Sequence, residues 1–578
     1  MWWRMFDRHA KSVEERYDDP DCLAALVRTE AAPRPIKRSW GPEYAFDVGQ
    51  DTKLHSGSKV WVAGIMDASF EITGLDEDAG LVEIKVGPKK SLPDRICLID
   101  NEFVGAEKIK EAVARYAQAW ERGVVASTAV DDLLRRRPPR IAGHSGGPLI
   151  RLGDDLVART IDLAGRLDGG TLCIQGPPGT GKTFTAAAII LELLRRGKRI
   201  GVTANSHKVI LNLMRAVVSA GGTAGVPARL YKVGDHDDDP LVEQGIVQEL
   251  ESGEVDGALG EGGVLVGGTA WVFSRAELEG RFDYLFVDEA GQVSLANAVA
   301  VGLSTRNLVL IGDQMQLAQP SQGSHPGETG LSCLEYLLHG HATVPAELGI
   351  FLGLSYRMHG DVCRFISVAI YDGRLASGPG TERHRVIAND GAELVPAETG
   401  IVWVPVAHDG CGQSSDEECR RIVGIIMELL GRDVVGKDGR TRRMTLDDIL
   451  IVAPFNMQVR CLRDRLGAGA RIGSVDKFQG QEAAVVIVSL CSSTLDESPR
   501  GAAFLLSPNR LNVAVSRAQA LAIVVGCPEL LETRCRSVEE MKLVNLLCHL
   551  VQYAEGATLS SRGATATRGL AGPSSTPG

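Results

Sequence analysis

Eight residues constrain this chain more than any others: Gly176-Pro-Pro-Gly-Thr-Gly-Lys182-Thr183, set between the apolar run Leu172–Gln175 and a helical run, Phe184–Arg195. This is G-x-x-x-x-G-K-[ST] in strand–loop–helix context. Glycines at that spacing let backbone N–H groups turn inward on a phosphate, and the helix that follows adds the positive end of its dipole. Gly176, Pro177, Pro178, Gly179, Thr180 and Gly181 would form the cradle. Lys182 would bridge the β- and γ-phosphates, and Thr183 would hold Mg²⁺. A chance Gly-rich turn is the competing reading, because 66 of 578 residues are glycine. The strand before and the helix after argue against it. The loop also needs a carboxylate on a neighbouring strand, and Leu285-Phe-Val-Asp288-Glu289-Ala290 supplies two. Asp288 would hold Mg²⁺ through water, and Glu289 would orient and deprotonate the attacking water. The pattern implies a nucleoside triphosphatase on an α/β scaffold.

Around this core the chain divides by pattern. Residues 1–43 read as a helical and irregular lead. Residues 44–105 carry short β-rich runs (Lys59–Ala63, Leu81–Val86, Ile96–Ile99) between Gly- and Asp-rich turns, which predicts a small accessory β-barrel. Residues 106–149 form a stalk helix, with Ile109, Val113, Tyr116 and Trp120 on one stripe, then a basic linker at Arg135–Arg140. Strand, loop and helix alternate over 150–348 and again over 349–555, predicting two buried parallel sheets in tandem. Residues 556–578 are Gly, Ser, Thr, Ala and Pro and read as a disordered tail. Lys plus Arg is 62 against 73 Asp plus Glu, a net charge of −11, which excludes coating of nucleic acid by bulk charge. A membrane span needs about 20 apolar residues, and no run approaches that. A cytoplasmic location and no membrane partner are expected. Twelve cysteines with no C-x-x-C pair give neither a zinc ribbon nor a disulfide scaffold.

Further motifs set the class. Gly291-Gln292 completes D-E-A-x-Q, and Gly312-Asp313-Gln-Met-Gln316-Leu317 follows the next strand. Leu354-Ser-Tyr356-Arg357-Met358-His359 opens the second α/β region. Ser474-Val-Asp-Lys-Phe-Gln479-Gly480-Gln-Glu482 and Arg510-Leu-Asn-Val-Ala-Val-Ser-Arg517-Ala518 close it. In order and spacing, over about 150–555, this set resembles the superfamily 1 helicases. The branch it resembles holds the nonsense-decay RNA helicase, the replication nuclease-helicase and the helicase half of bacterial RecB-like nuclease–helicase fusions. The resemblance implies an α/β fold of two RecA-like P-loop domains, with ATP and Mg²⁺ as cofactors. It implies that Gln316 reports the γ-phosphate state and that Arg357 and Arg517, both expected in the second domain, act as arginine fingers. Planar, permanent charge suits that role. Tyr356 would stack on the base, Gly480 would admit the backbone to the phosphate, and Glu482 would accept from a ribose hydroxyl.

For the polymer, the resemblance points to Asn205, Ser206, His207, Thr269 and Ser474. Small hydroxyls, amides and backbone N–H groups suit contact with phosphate and sugar without sequence readout. Thr269 and Ser474 could equally end strands, and Trp271 could equally be a core residue. Three departures stand out. Ser355 replaces the Gln usual before Tyr356. No adenine-selecting Gln lies between 150 and 170, since Gln175 abuts the loop. No nuclease-like region precedes residue 40, so a nuclease would be a partner supplied in trans. Two decoys read as structural: Asp235-His-Asp-Asp-Asp239 as a solvated loop, and Glu83-Ile-Lys85 as a barrel strand. The expected activity is an ATP-dependent helicase or translocase on single-stranded nucleic acid, DNA favoured over RNA, moving 5′-to-3′. The alternatives are an ATP-gated clamp on nucleic acid or protein without unwinding, an RNA helicase of the same branch, and a P-loop NTPase acting on protein or small molecules.

Overall fold

The computed structural model describes residues 8–568, apart from 18, 37, 49, 51, 78, 102–104, 223, 224, 227, 235–238, 320–324, 390, 391, 468 and 479. Its chain separates into two compact units: 106–382 with 508–516, and the described residues up to 105 with 383–507 and those from 517 onward.

The second of these units holds a closed barrel. Its strands are β1 (Cys22–Arg28), β2 (Glu43–Ala45), β3 (Lys59–Val62), β4 (Ile65–Asp76), β5 (Leu81–Lys85) and β6 (Arg95–Asp100), in the order β1-β2-β5-β4-β3-β6. Alternate residues such as Val60, Val62, Val82 and Ile84 fill it. The barrel therefore begins at Cys22, not at 44, and the lead read as helical supplies its first strand. The reason is local. Ala25 takes a φ of 56°, and the β1–β6 register shifts between Leu23 and Leu26, which breaks the alternation that marks a strand. The barrel is seated on the helix Asn456–Leu466 of the same unit. Asn456 Nδ2 donates to Tyr17 O at 3.0 Å, Arg463 Nη1 donates to Val48 O at 2.6 Å, and Arg460 pairs with Asp47 at 2.8 Å. Met457 packs beside Tyr17, Ala24 and Cys97. These contacts seat the barrel on the second α/β region.

In the other unit a single eight-stranded sheet runs through β7 (Thr171–Gln175), β8 (Arg199–Thr203), β9 (Arg229–Val233), β10 (Gln248–Leu250), β11 (Val264–Gly267), β12 (Phe282–Val287), β13 (Thr305–Gly312) and β14 (Gly349–Phe351). The order is β10-β9-β11-β8-β12-β13-β7-β14, all parallel. Successive residues face two separate cores: Leu172 and Ile174 one, Cys173 the other; Val309 and Ile311 one, Leu308 and Leu310 the other. Burial on both faces is why these strands read as unbroken apolar runs. Pairing of β14 with β7 carries this sheet past the expected boundary at 348. The stalk helix Glu107–Glu121 buries Ile109 and Ala112 against Ala300 and Leu303, whereas Trp120 is exposed. The basic stretch is not a loose linker. Arg137 and Arg140 close on Asp132, which is fully buried, and Arg135 pairs with Asp131.

A five-stranded parallel sheet completes the barrel unit: β15 (Gly400–Pro405), β16 (Ile449–Val452), β17 (Arg471–Gly473), β18 (Ala483–Ser489) and β19 (Ala518–Gly526), ordered β15-β19-β18-β16-β17. The helix Val538–Arg568 packs on β15 and continues beyond Gly556, through residues expected to be disordered. Extending a helix already anchored by packing needs no new nucleus. The rest of the expected tail, from 569, lies outside the described residues. Among the described residues, no helix is long and apolar enough to cross a membrane.

Candidate nucleotide site and nucleic-acid edge

Parallel strands deliver their loops to one edge, and ligands of such sheets bind there. The phosphate loop follows β7, Asp313 and Gln316 follow β13, and Asp288 and Glu289 follow β12. Those three strands are neighbours. The next two, β8 and β11, carry Asn205–His207 and Thr269. The edge is thus divided, with nucleotide candidates on one side and polymer candidates on the other.

The loop is tightly folded. Gly176 N–H donates to Gly312 O at 2.9 Å, tying β7 to β13, and Lys182 Nζ donates to Gly176 O at 2.7 Å. A Cβ on Gly176 would stand 2.2 Å from Lys182 Cγ. Gly179 has a φ of +75°, and a Cβ there would stand 2.5 Å from Arg357 Cβ, so both positions require glycine. Thr180 Oγ1 donates to Pro177 O at 2.8 Å, and Thr183 is exposed at the start of the helix Lys182–Arg195.

Asp288 is buried, and its pKa is pushed up to about 7 by burial and then by the charge of adjacent Glu289. Glu289 N–H donates to Asp288 Oδ1 at 2.9 Å. A buried carboxylate held so far above the usual range is one whose ionised form a dication would favour, so Asp288 is suited to be a Mg²⁺ ligand. This gives a sign for stability. Asp288 ionises in the unfolded chain near the ordinary carboxylate range and in the folded chain only near 7. Folding is therefore opposed increasingly as pH rises from about 4 to about 7. Asp288→Asn should raise the melting temperature of the nucleotide-free protein at pH 8, with a gain that shrinks as pH falls toward about 4, while lowering turnover. Calorimetry across that range checks it; a constant gain would contradict the assignment.

Arg357 was expected in the second domain and is instead grouped with the phosphate loop. Tyr356 N–H donates to Gly179 O at 2.8 Å, Ser355 Oγ donates to Pro178 O at 3.0 Å, and Arg357 Nη1 donates to Ser516 O at 3.3 Å. The hydroxyl that replaces the usual Gln thus braces the loop itself. Tyr356 is exposed, as base stacking requires. Gln175 cannot select a base, because its amide is spent inside the fold on Asp313, Gln314, Ala342 and Val344.

In the barrel unit, Gly480, Glu482 and Arg517 come together where β18 and β19 begin. Arg517 Nη1 donates to Gln481 O at 3.3 Å, and Gln519 Nε2 donates to Glu482 Oε1 at 2.8 Å. Ser474 follows β17 and accepts from Lys477 N–H at 3.4 Å.

The polymer candidates also hold the fold together. Ser206 caps the helix His207–Gly221 by accepting from Val209 N–H at 3.2 Å, and His207 Nδ1 lies 2.6 Å from Nζ of the buried Lys232. Asn205 Nδ2 donates to Gln292 O at 2.5 Å, in the turn that follows Glu289. Thr269 is half-buried before the helix Ala270–Phe273, and Trp271 on that helix is exposed. Of the decoys, Glu83 binds Arg34 at 2.6 and 2.8 Å and Thr73 at 2.5 Å. Asp239 caps the helix Pro240–Glu243, and residues 235–238 lie outside the described residues. Tyr371 and Asn509, which pack around Asp313 and Gln316, carried no motif signal, and Asn512, inside the motif Arg510–Ala518, carried no assigned role; the i,i+3 spacing of the two asparagines puts them on one helix face.

One AAA domain matches residues 166–327 and another matches 330–529. Among curated relatives, the DNA polymerase alpha-associated DNA helicase A of Schizosaccharomyces pombe is 28% identical over 420 residues, covering 61% of this chain and 60% of that one. The regulator of nonsense transcripts 1 homolog of Arabidopsis thaliana is 25% identical over 62% of this chain and 31% of its own length. The DNA replication ATP-dependent helicase/nuclease dna2 of S. pombe is 24% identical over 66% of this chain, which spans only 27% of that relative. The solved arterivirus nonstructural protein 10 (helicase) aligns over 86% of this chain and 77% of that one at 13% identity, with a TM-score of 0.37. With one AAA domain following another on RecA-like sheets, and helicases among its relatives, the chain belongs to the superfamily 1 helicases.

Proposed function

We propose that the chain is an ATP-driven motor that translocates on, and unwinds from, single-stranded nucleic acid, with DNA preferred to RNA and 5′-to-3′ polarity. The observation that carries this is the hydrogen bond from Asn205 to Gln292. It joins the polymer side of the sheet edge to the turn bearing Glu289, so a strand gripped at Asn205–His207 bears on the residue that would activate water. Lys182 would meet the β- and γ-phosphates, Tyr356 the base, and Thr183 with Asp288 would hold Mg²⁺, which would screen phosphate charge. Glu289 would take the proton of the attacking water, and Arg357 and Arg517 would stabilise the transferring phosphoryl group. Gly480 and Glu482 would line the nucleotide, and Thr269 and Ser474 would touch the strand backbone.

All twelve cysteines are free thiols, which supports work in a reducing compartment, the cytoplasm. A relative named as a helicase/nuclease supports pairing with a nuclease on a separate chain. The deciding measurement is ATP hydrolysis with no polymer and with single-stranded DNA or RNA of matched length. Stimulation should be largest with DNA, weaken with added salt as counterion release predicts, and show little sequence preference. Unwinding from a 5′ overhang should exceed that from a 3′ overhang; the reverse would overturn the polarity. Stimulated hydrolysis with no strand displacement would favour a clamp that does not unwind.

A further inference from the structure

Asp313, at the end of β13, is 2% exposed and accepts four hydrogen bonds. Oδ2 takes Gln316 Nε2 at 3.0 Å and the Tyr371 hydroxyl at 2.6 Å; Oδ1 takes Met315 N–H at 3.2 Å and Gln175 Nε2 at 3.3 Å. A carboxylate has about four lone-pair sites, so none is left to choose another partner. Tyr371 follows the helix Gly360–Ile370 and is fully buried. Burial, then the charge of Asp313, holds its phenol well above the usual range, so it remains a donor. Its oxygen accepts from Asn512 Nδ2 at 2.7 Å, and the same amide donates to Met315 O at 2.7 Å. Asn509, one turn earlier on the helix Pro508–Val515, donates to Gln314 O at 2.8 Å and to Gln316 O. Phenylalanine would fill the space of Tyr371; the hydroxyl alone makes the link.

We infer that Tyr371 is a positioning residue for hydrolysis: through Asp313 it fixes the orientation of Gln316, and through Asn512 it ties that orientation to the helix leading, just past Ser516, into Arg517. The inference rests on the motor reading, in which Gln316 responds to the γ-phosphate. A helix clamped to the sensor loop at two asparagines shares its position, so the sensor's setting and the place of that helix are fixed together.

The test uses the full chain with saturating single-stranded DNA. Tyr371→Phe should lower kcat about tenfold, the scale of one buried hydrogen bond to a charged group, with the dissociation constant for ATP unchanged. Asn512→Ala should act in the same direction. Combined with Gln316→Ala, Tyr371→Phe should cause no further loss, because both act through one side chain. Undiminished kcat in Tyr371→Phe with a lowered melting temperature would reduce Tyr371 to a packing role and overturn the inference. Losses that multiply in the double variant would overturn it too. If polymer failed to stimulate the wild type, the motor reading itself would fall and the inference with it. Stimulated hydrolysis that Tyr371→Phe leaves intact would sink the inference alone.

Discussion

Arg517→Ala should lower polymer-stimulated ATP turnover by about 10³–10⁵, the range for an arginine finger, while ATP affinity stays within about threefold. Arg517 is buried, at 3% exposure, and its Nη1 donates to Gln481 O. It belongs to a different compact unit from the phosphate loop. Arg357 shares the unit of the phosphate loop, so Arg357→Ala should lower basal and stimulated turnover by similar factors, and Arg517→Ala should erase chiefly the stimulated part. Lysine should rescue either site poorly, because an ammonium lacks the planar fork. Steady-state hydrolysis with and without single-stranded DNA, beside nucleotide titration, reads all of this. Full stimulated turnover in both arginine variants would end the two-unit motor reading even with the phosphate loop intact.

Glu289→Gln should bind ATP normally and turn over about 10²–10⁴ times more slowly, the scale of a lost general base. The backbone makes this a clean substitution. Glu289 takes a φ of 49°, a conformation that costs a non-glycine residue about 1–3 kcal/mol and persists only where the surroundings impose it. Here they do: a Cβ on Gly291 would stand 2.6 Å from Asp313 O, and one on Gly312 would stand 2.7 Å from Ala290 N. Two backbones in such contact leave the turn no other path. Glutamine keeps the shape and cannot take the proton. Wild-type turnover in Glu289→Gln would remove Glu289 from the role of base.

What the sequence disclosed, and what it hid, follows from the range of the forces involved. The strands Thr171–Gln175 and Thr305–Gly312 were legible because burial on both faces leaves unbroken apolar runs. The phosphate loop was legible because its glycines answer to backbone geometry, a local requirement. Three-residue strands such as Gln248–Leu250 and Gly349–Phe351 are too short for a period to appear, and they exist because a neighbour offers its hydrogen bonds. The latter carries the first sheet past the expected boundary at 348. Tyr371 left no trace, since a tyrosine after an apolar helix looks the same whether its hydroxyl meets water or Asp313.

The hydrogen bond that seats the barrel, from Asn456 to Tyr17, joins residues 439 positions apart. A ribosome working at about 5–20 residues per second takes about 20–90 s to cover that distance. For most of that interval the barrel strands, complete at Asp100, have been made and the supporting helix has not. Its own interior, from Leu23 to Leu98, is complete without the helix and allows it to close early. The patch of Tyr17, Ala24 and Cys97, packed early by Ala63, is completed only when Met457 arrives. Speed of elongation, and any helper that shields a small apolar patch for tens of seconds, should thus govern how much of the nascent chain matures.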